Sequence, residues 1–228
     1  MPTRDLSQSL DDAATVYPGD PEVETTPAAT HETDGYRVTE LRLGTHSGTH
    51  LDAPSHTEPD GKSLDEFDVG QFAFDARLVD CSESGARDSI GPEAVPDDAD
   101  AEMLIFRTGW DDHWGTDRYY DHPYLAPETA RKCAESGYHV GIDALNPDPS
   151  PSATGAETEA ERGVKTEDDS KTESEPDGVP AHHELLGSGL FVLENLTALG
   201  DLPAQFELRA YPLALAADGS PVRAVAVW

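Results

Sequence analysis

The stretch Ala126–Asp143, APETARKCAESGYHVGID, reads as a helix running directly into a strand. Pro127 falls in the first turn, where its missing N–H would find no partner anyway, and Gly137 stands where a helix closes. The residues that follow, YHVGID, form a short apolar run of strand character. Upstream, EMLIFRTG (Glu102–Gly109) is a second such run, bounded by turn residues. Strands mixed with a few helices predict an α/β fold rather than a bundle or a sandwich. The rest of the chain agrees. GYRVTELRLG (Gly35–Gly44), DARLVDC (Asp75–Cys81), LFVLENL (Leu190–Leu196), AQFELRAYPLAL (Ala204–Leu215) and SPVRAVAVW (Ser220–Trp228) read as strands, and AHHELLGSG (Ala181–Gly189) as a short helix ending in glycine. The expectation is a single α/β domain over residues 1–228, with a mixed sheet, flanking helices and no internal repeat.

One segment departs from this pattern. Asp148–Gly178 carries ten acids and three bases, with three alanines and one valine as its only apolar residues. It cannot bury enough apolar surface to offset its ordering entropy, so a disordered acidic loop inserted in the domain is expected. The whole chain is acidic: 46 Asp and Glu stand against 15 Lys and Arg, a net charge of −31 in 228 residues. A cationic face for nucleic acid or an anionic membrane is excluded on that balance. Acid spread along the chain suits a salt-in halophile, because near 1 M salt charges are screened within ~3 Å. Cys81 and Cys133 have no disulfide or metal spacing and read as small core residues. The first fifteen residues lack an apolar signal region, and no run is long enough to span a membrane, so a cytoplasmic protein is expected.

The chemistry concentrates in THSGTHLDAPSH, Thr45–His56, which places His46, His50, Asp52 and His56 within eleven residues. Gly48 permits a sharp turn between the first two histidines, and Pro54 argues against one continuous helix. In an extended chain His50 and Asp52 point to one side and Leu51 to the other, towards a core. Imidazoles and a carboxylate without thiolate suit a divalent cation such as zinc or manganese. Any one of these histidines could be an ordinary surface or core residue; three at this spacing with Asp, Gly and Pro favour a metal. Glu194 lies inside the apolar run FVLEN, where an ionised carboxylate needs either solvent or a cationic partner. His182 and His183 upstream favour the partner.

These stretches carry a resemblance. His46-Ser-Gly48-Thr-His50-Leu-Asp52-Ala-Pro54-Ser-His56 meets in full the H-x-G-T-H-x-D-x-P-x-H motif of the metal-dependent cyclase family, which includes bacterial kynurenine formamidases and isatin hydrolases. VYPGDP (Val16–Pro21), RTGW (Arg107–Trp110), HPYLAPETA (His122–Ala130), VGID (Val140–Asp143) and His182–Leu196 resemble further family stretches in the same order. The resemblance implies a swivelling β/α/β fold and two divalent metals, zinc or manganese. His46, His50 and Asp52 would hold the first metal; Asp52 and Glu194 would bridge to a second, which His182 also holds. His182 stands twelve residues before Glu194, as in the family, with His183 as the alternative ligand. His56 would carry the proton, and Tyr17, at a position where the formamidases carry Trp, would contact substrate. The implied activity is hydrolysis of a non-peptide C–N bond by metal-activated water, with N-formylkynurenine as substrate and kynurenine and formate as products. Alternatives are an isatin-like lactam, cyclic-amide or lactone hydrolase, or a metal-binding protein without turnover. A homodimer or homotetramer acting on a small molecule is implied.

Other chemistries find no motif: there is neither a G-x-S-x-G nucleophile elbow nor a Walker phosphate loop. His31, His113 and His139 have no metal-spaced partners and read as surface or structural residues. Trp110 and Trp114 read as packing residues, with substrate contact as the alternative. Asn195-Leu-Thr197 reads as a coincidental glycosylation sequon.

Overall fold

The computed structural model describes residues 1–151 and 175–228. Its strands, in chain order, are β1 Thr3–Asp5, β2 Glu24–Ala29, β3 Val38–Arg42, β4 His50–Asp52, β5 Ala73–Asp80, β6 Ser89–Ile90 and β7 Met103–Arg107. They continue as β8 Tyr124–Leu125, β9 His139–Ile142, β10 Val192–Glu194, β11 Gln205–Arg209, β12 Gly219–Pro221 and β13 Val225–Val227. Three helices accompany them: α1 His31–Asp34, α2 Pro127–Ser136 and α3 Pro180–Leu186. Nine strands form one mixed sheet in the order β1-β13-β11-β5-β7-β9-β10-β4-β12. The central β5, β7, β9 and β10 run parallel, and the flanking pairs are antiparallel. Strands from after the acidic segment pair with strands from before it, so one sheet unites the two parts of the sequence.

The period of two sorts the core into two layers. Met103 and Ile105 face one cluster together with Leu51, Phe74, Phe191, Leu193 and Leu208. Leu104 and Phe106 face the other, with Val140, Ile142 and Val192 and the inward residues of α2 and α3, among them Ala130, Cys133, Leu185 and Leu186. Burial on both faces explains why β7 is apolar almost throughout. The expected helix begins at Pro127 and stops before Gly137. Cys81 and Cys133 are buried free thiols, pushed up to about 11 and about 12 by burial.

The expected insertion needs a correction at its start. Asp148 and Ser150 are buried, not solvated. The Asp148 carboxylate accepts the Ala181 and His182 N–H groups at 2.8 and 3.0 Å, satisfying donors that the first turn of α3 would otherwise leave bare. The Ser150 hydroxyl meets His122 Nε2 and accepts from Asn146 Nδ2, both at 2.8 Å. Arg87 donates to the Ser150 carbonyl and pairs with Glu175. The ends of the acidic stretch thus belong to the fold, because they cap a helix and fill a buried polar cluster. The expectation of disorder between them falls on residues 152–174, outside the described residues.

Candidate metal centre

β4, paired between β10 and β12, is the strand on which the site is built. Its register sets His50 opposite Glu194, and Asp52 opposite Val192, on β10. His50, Asp52 and Glu194 therefore emerge on the same face as Val192, while Leu51 points into the opposite core layer. Gly48, at φ +64°, makes the turn that brings His46 back over β4. A side chain there would be strained by that φ, and its Cβ would also meet Leu10 at 3.0 Å. α3 crosses the same face and delivers His182 from its first turn.

These residues converge. His46 Nδ1 is 2.7 Å from Asp52 Oδ1, and His50 Nε2 lies 3.3 Å from Asp52 Oδ1 and 3.2 Å from Glu194 Oε2. His182 Nε2 lies 3.1 Å from Glu194 Oε1 and 3.6 Å from Asp52 Oδ2. Three groups of potential ligand atoms result: His46–His50–Asp52 and Asp52–His182–Glu194 share Asp52 and form the centre, and His46–His56–Asp218 lies beside them. His183, the alternative, is exposed and pairs with Glu58 at 2.9 Å. Side by side in sequence, the two histidines diverge because one turn of helix cannot aim both inwards.

Each imidazole has one nitrogen engaged outside the cluster. His50 Nδ1 donates to the Gly48 carbonyl at 2.8 Å, and His182 Nδ1 donates to Asp148 at 2.7 Å. His46 Nε2 faces Asp218 at 3.1 Å. Such outer partners fix the tautomer and turn the other nitrogen inwards, as second contacts around metal ligands commonly do. Asp148, Asp218 and Asn195 were not singled out from the sequence for the site. Asn195, at φ +56°, is buried, donates to the Gly48 carbonyl and accepts the Tyr119 hydroxyl proton, which also removes it as a glycan acceptor. Asp148 lies in a stretch whose composition reads as solvated, and Asp218 reads as a turn residue 166 positions from Asp52. Only chain folding could have marked them.

The electrostatics are those of a cation site. Burial pushes the imidazoles of His46, His50 and His182 down, but the facing carboxylates outweigh it and hold all three above their ordinary value. Burial raises Asp52 and Glu194; the facing imidazoles reverse this and leave both below the usual carboxylate range. Even so, Asp52 Oδ2 and Glu194 Oε1 are buried and receive no well-formed hydrogen bond. A buried carboxylate oxygen without a donor is costly. The two orphaned oxygens, with imidazole nitrogens turned towards them, fit hard-to-borderline divalent cations.

Above the cluster lies a cavity of about 230 Å³ bounded by His46, His50, His56, His182 and Glu194, with Tyr17, Asp20, Leu145, Asn146, Val179 and Asn195 closing it. Its size suits a small molecule. His56 sits at the mouth, its ring centroid 3.9 Å from that of His46, and burial among neighbouring imidazoles keeps it below its ordinary value. Tyr17 is half-buried in the wall. Of the histidines read as structural, His139 is stacked on Phe191 and His31 lies exposed in α1. Trp110 is a core residue whose indole donates to the Tyr119 carbonyl at 3.2 Å, and Trp114 packs edge-on to Tyr119; neither borders the cavity. Among the described residues no helix is long and apolar enough to cross a membrane.

Fold and site together define an α/β protein built around a buried carboxylate-and-imidazole cation centre. The chain belongs to the Cyclase family, whose model matches residues 4–149. It is 34% identical to the kynurenine formamidase of Salinibacter ruber over 231 residues, covering 97% of this chain and 95% of that one. It is 31% identical to the kynurenine formamidase of Bacillus cytotoxicus over 227 residues, covering 97% and 95%. In three dimensions it resembles an isatin hydrolase bound to the product analogue thioisatinate, with TM-score 0.79, 24% identity, and 98% and 91% of the two chains covered.

Proposed function

We propose that this protein is a metal-dependent arylformamidase that hydrolyses N-formylkynurenine to kynurenine and formate. The observation that carries the reading is the pair of buried carboxylates, Asp52 and Glu194, each with an unsatisfied oxygen amid three inward-turned imidazoles. Relatives over nearly the whole length, named kynurenine formamidases, support the substrate.

In this reading His46, His50 and Asp52 would hold one divalent cation, and Asp52, Glu194 and His182 would hold a second, zinc or manganese in each case. Such a pair polarises a carbonyl oxygen and brings the pKa of water towards about 7. The residues do the rest. Gly48, Asp148 and Asp218 fix the ring orientations, so the donor set is preorganised before substrate arrives. Tyr17, Leu145 and Val179 wall the cavity and exclude bulk water from the formyl group. His56 Nε2 takes the proton released when water oxygen bonds to the formyl carbon, then gives it to the aryl nitrogen as the C–N bond breaks. Formate and the free arylamine leave.

The decisive test compares N-formylkynurenine hydrolysis by zinc- or manganese-reconstituted and chelated protein in molar KCl. Metal-dependent release of kynurenine is expected, and His56→Ala should keep its metal while losing about 10²–10⁴-fold in kcat. Bound metal without turnover of this substrate would refute the formamidase reading. Isatin-like lactams, cyclic amides and lactones would then be assayed, and failure on all of them would leave a binding protein. Homo-oligomerisation is proposed as well. It is supported by Val69, Tyr211, Leu213 and Leu215, apolar side chains exposed on the isolated chain, and is checked by light scattering.

A further inference from the structure

Asp218 reaches the site from the turn before β12 and does not border the cavity. Its carbonyl accepts the Ala53 N–H at 2.8 Å, and the Thr45 hydroxyl donates to its Oδ1 at 3.2 Å. The residue is thereby fastened to the Thr45–His56 stretch at its first residue and again at Ala53, just past β4. The other oxygen, Oδ2, lies 3.1 Å from His46 Nε2 and 3.5 Å from His56 Nδ1. The neighbouring Gly219 explains how the turn comes so close: a Cβ there would stand 2.6 Å from His46 Cε1. Glycine is what lets this backbone lie against the ring.

We infer that Asp218 is the positioning residue of His56, its Oδ2 accepting the Nδ1–H so that the bare Nε2 is turned to the cavity. The inference rests on His56 carrying the proton. An imidazole that must first accept a proton and then release it needs one tautomer and one orientation, and a carboxylate on the far nitrogen supplies both. At 3.5 Å the contact is longer than a formed hydrogen bond, and catalytic hydrogen bonds of this kind tighten when substrate binds. The same oxygen faces His46, so one carboxylate sets the spacing between the proton carrier and a proposed ligand ring. Asp218 touches no reacting atom and acts through His56.

The test has a readout independent of turnover. Long-range proton–nitrogen correlation spectra of ¹⁵N-histidine-labelled protein, assigned with His56→Gln, report the His56 tautomer in the zinc-loaded protein. Wild type should show Nδ1–H with a bare Nε2, and Asp218→Ala should show a mixture. In parallel, Asp218→Ala assayed at saturating zinc should lower kcat for N-formylkynurenine about 10- to 100-fold with KM unchanged, apart from any weaker zinc binding through His46, which loses the same outer partner. Asp218→Asn, which keeps an acceptor oxygen, should recover part of the loss and serves if the alanine variant fails to fold by circular dichroism. In the His56→Ala background the same substitution should cost nothing further. An unchanged tautomer, an equal loss in both backgrounds, or full recovery of activity at saturating zinc would each overturn the inference. Full activity in His56→Ala alone would instead overturn the proton-carrier role, while the spectra would still report whether Asp218 holds the ring.

Discussion

Two groups of histidine largely withdrawn from solvent in this molecule are shifted in opposite directions. His122 and His139 stand away from the cavity, and burial pushes each down to about 4. His122 meets the Pro123 carbonyl and the Ser150 hydroxyl, while His139 Nδ1 accepts the Phe191 N–H at 2.8 Å and its ring stacks on Phe191. Both are neutral rings serving as polar core. His50 and His182 are also buried and His46 is mostly so, yet the facing Asp52 and Glu194 raise them. Burial alone disfavours charge on an imidazole, so an upward shift in a buried histidine marks excess negative charge beside it. That excess is what a divalent cation would neutralise, displacing protons as it binds.

The largest effect should come from removing that charge. Asp52→Asn takes away the carboxylate common to the two groups of ligand atoms that form the centre, and elemental analysis should find the divalent metal lost and hydrolysis at background. Retention of metal and turnover would collapse the distinction between the two groups.

The structural group is tested by acid. Because the folded pKa of His122 and His139 lies below the unfolded value near 6.5, the unfolded chain binds more protons between pH 6.5 and 4. Their contribution is therefore fully present above about pH 6.5 and is lost as pH falls towards 4, at about 3 kcal/mol for each ring. Denaturant unfolding across that window should show a steep fall, and His139→Gln should flatten part of it. An identical slope in the variant would remove His139 from the neutral group.

A smaller effect is expected at Asp148→Asn, which weakens the acceptor behind His182 Nδ1. Metal affinity should fall about 10- to 100-fold, read by competition with a chromophoric chelator. Smallest of all is His183→Ala. Its exposed partner Glu58 lies outside the cluster, so metal content and turnover should match wild type; a loss of metal would exchange the roles of the two adjacent histidines.

The comparison also separates what a sequence exposes from what it conceals. THSGTHLDAPSH was legible because its parts are close in the chain: a glycine turn and a three-residue strand suffice to bring His46, His50 and Asp52 together, with Leu51 anchoring the other face. The strand at Met103–Arg107 and the helix at Pro127–Ser136 were legible through period, proline and glycine. His182 and His183 were both open to the sequence as ligands, and the phase of α3 turns His182 towards Glu194 and His183 towards Glu58. Asp148 was hidden by the acidic composition around it, though it caps that helix and holds His182.

What the sequence determined by itself is therefore the α/β class, the acidic composition and the local cluster of His46, His50 and Asp52, since these depend on residue types and short spacings. The tertiary structure alone decided which distant groups complete the site: Glu194 opposite His50 by strand register, Asp148 behind His182, and Asp218 between His46 and His56. Strand pairing and chain crossing bring these residues together from across the chain. No local pattern records such a meeting, because its free energy comes from burying the sheet and not from the neighbours of any one residue.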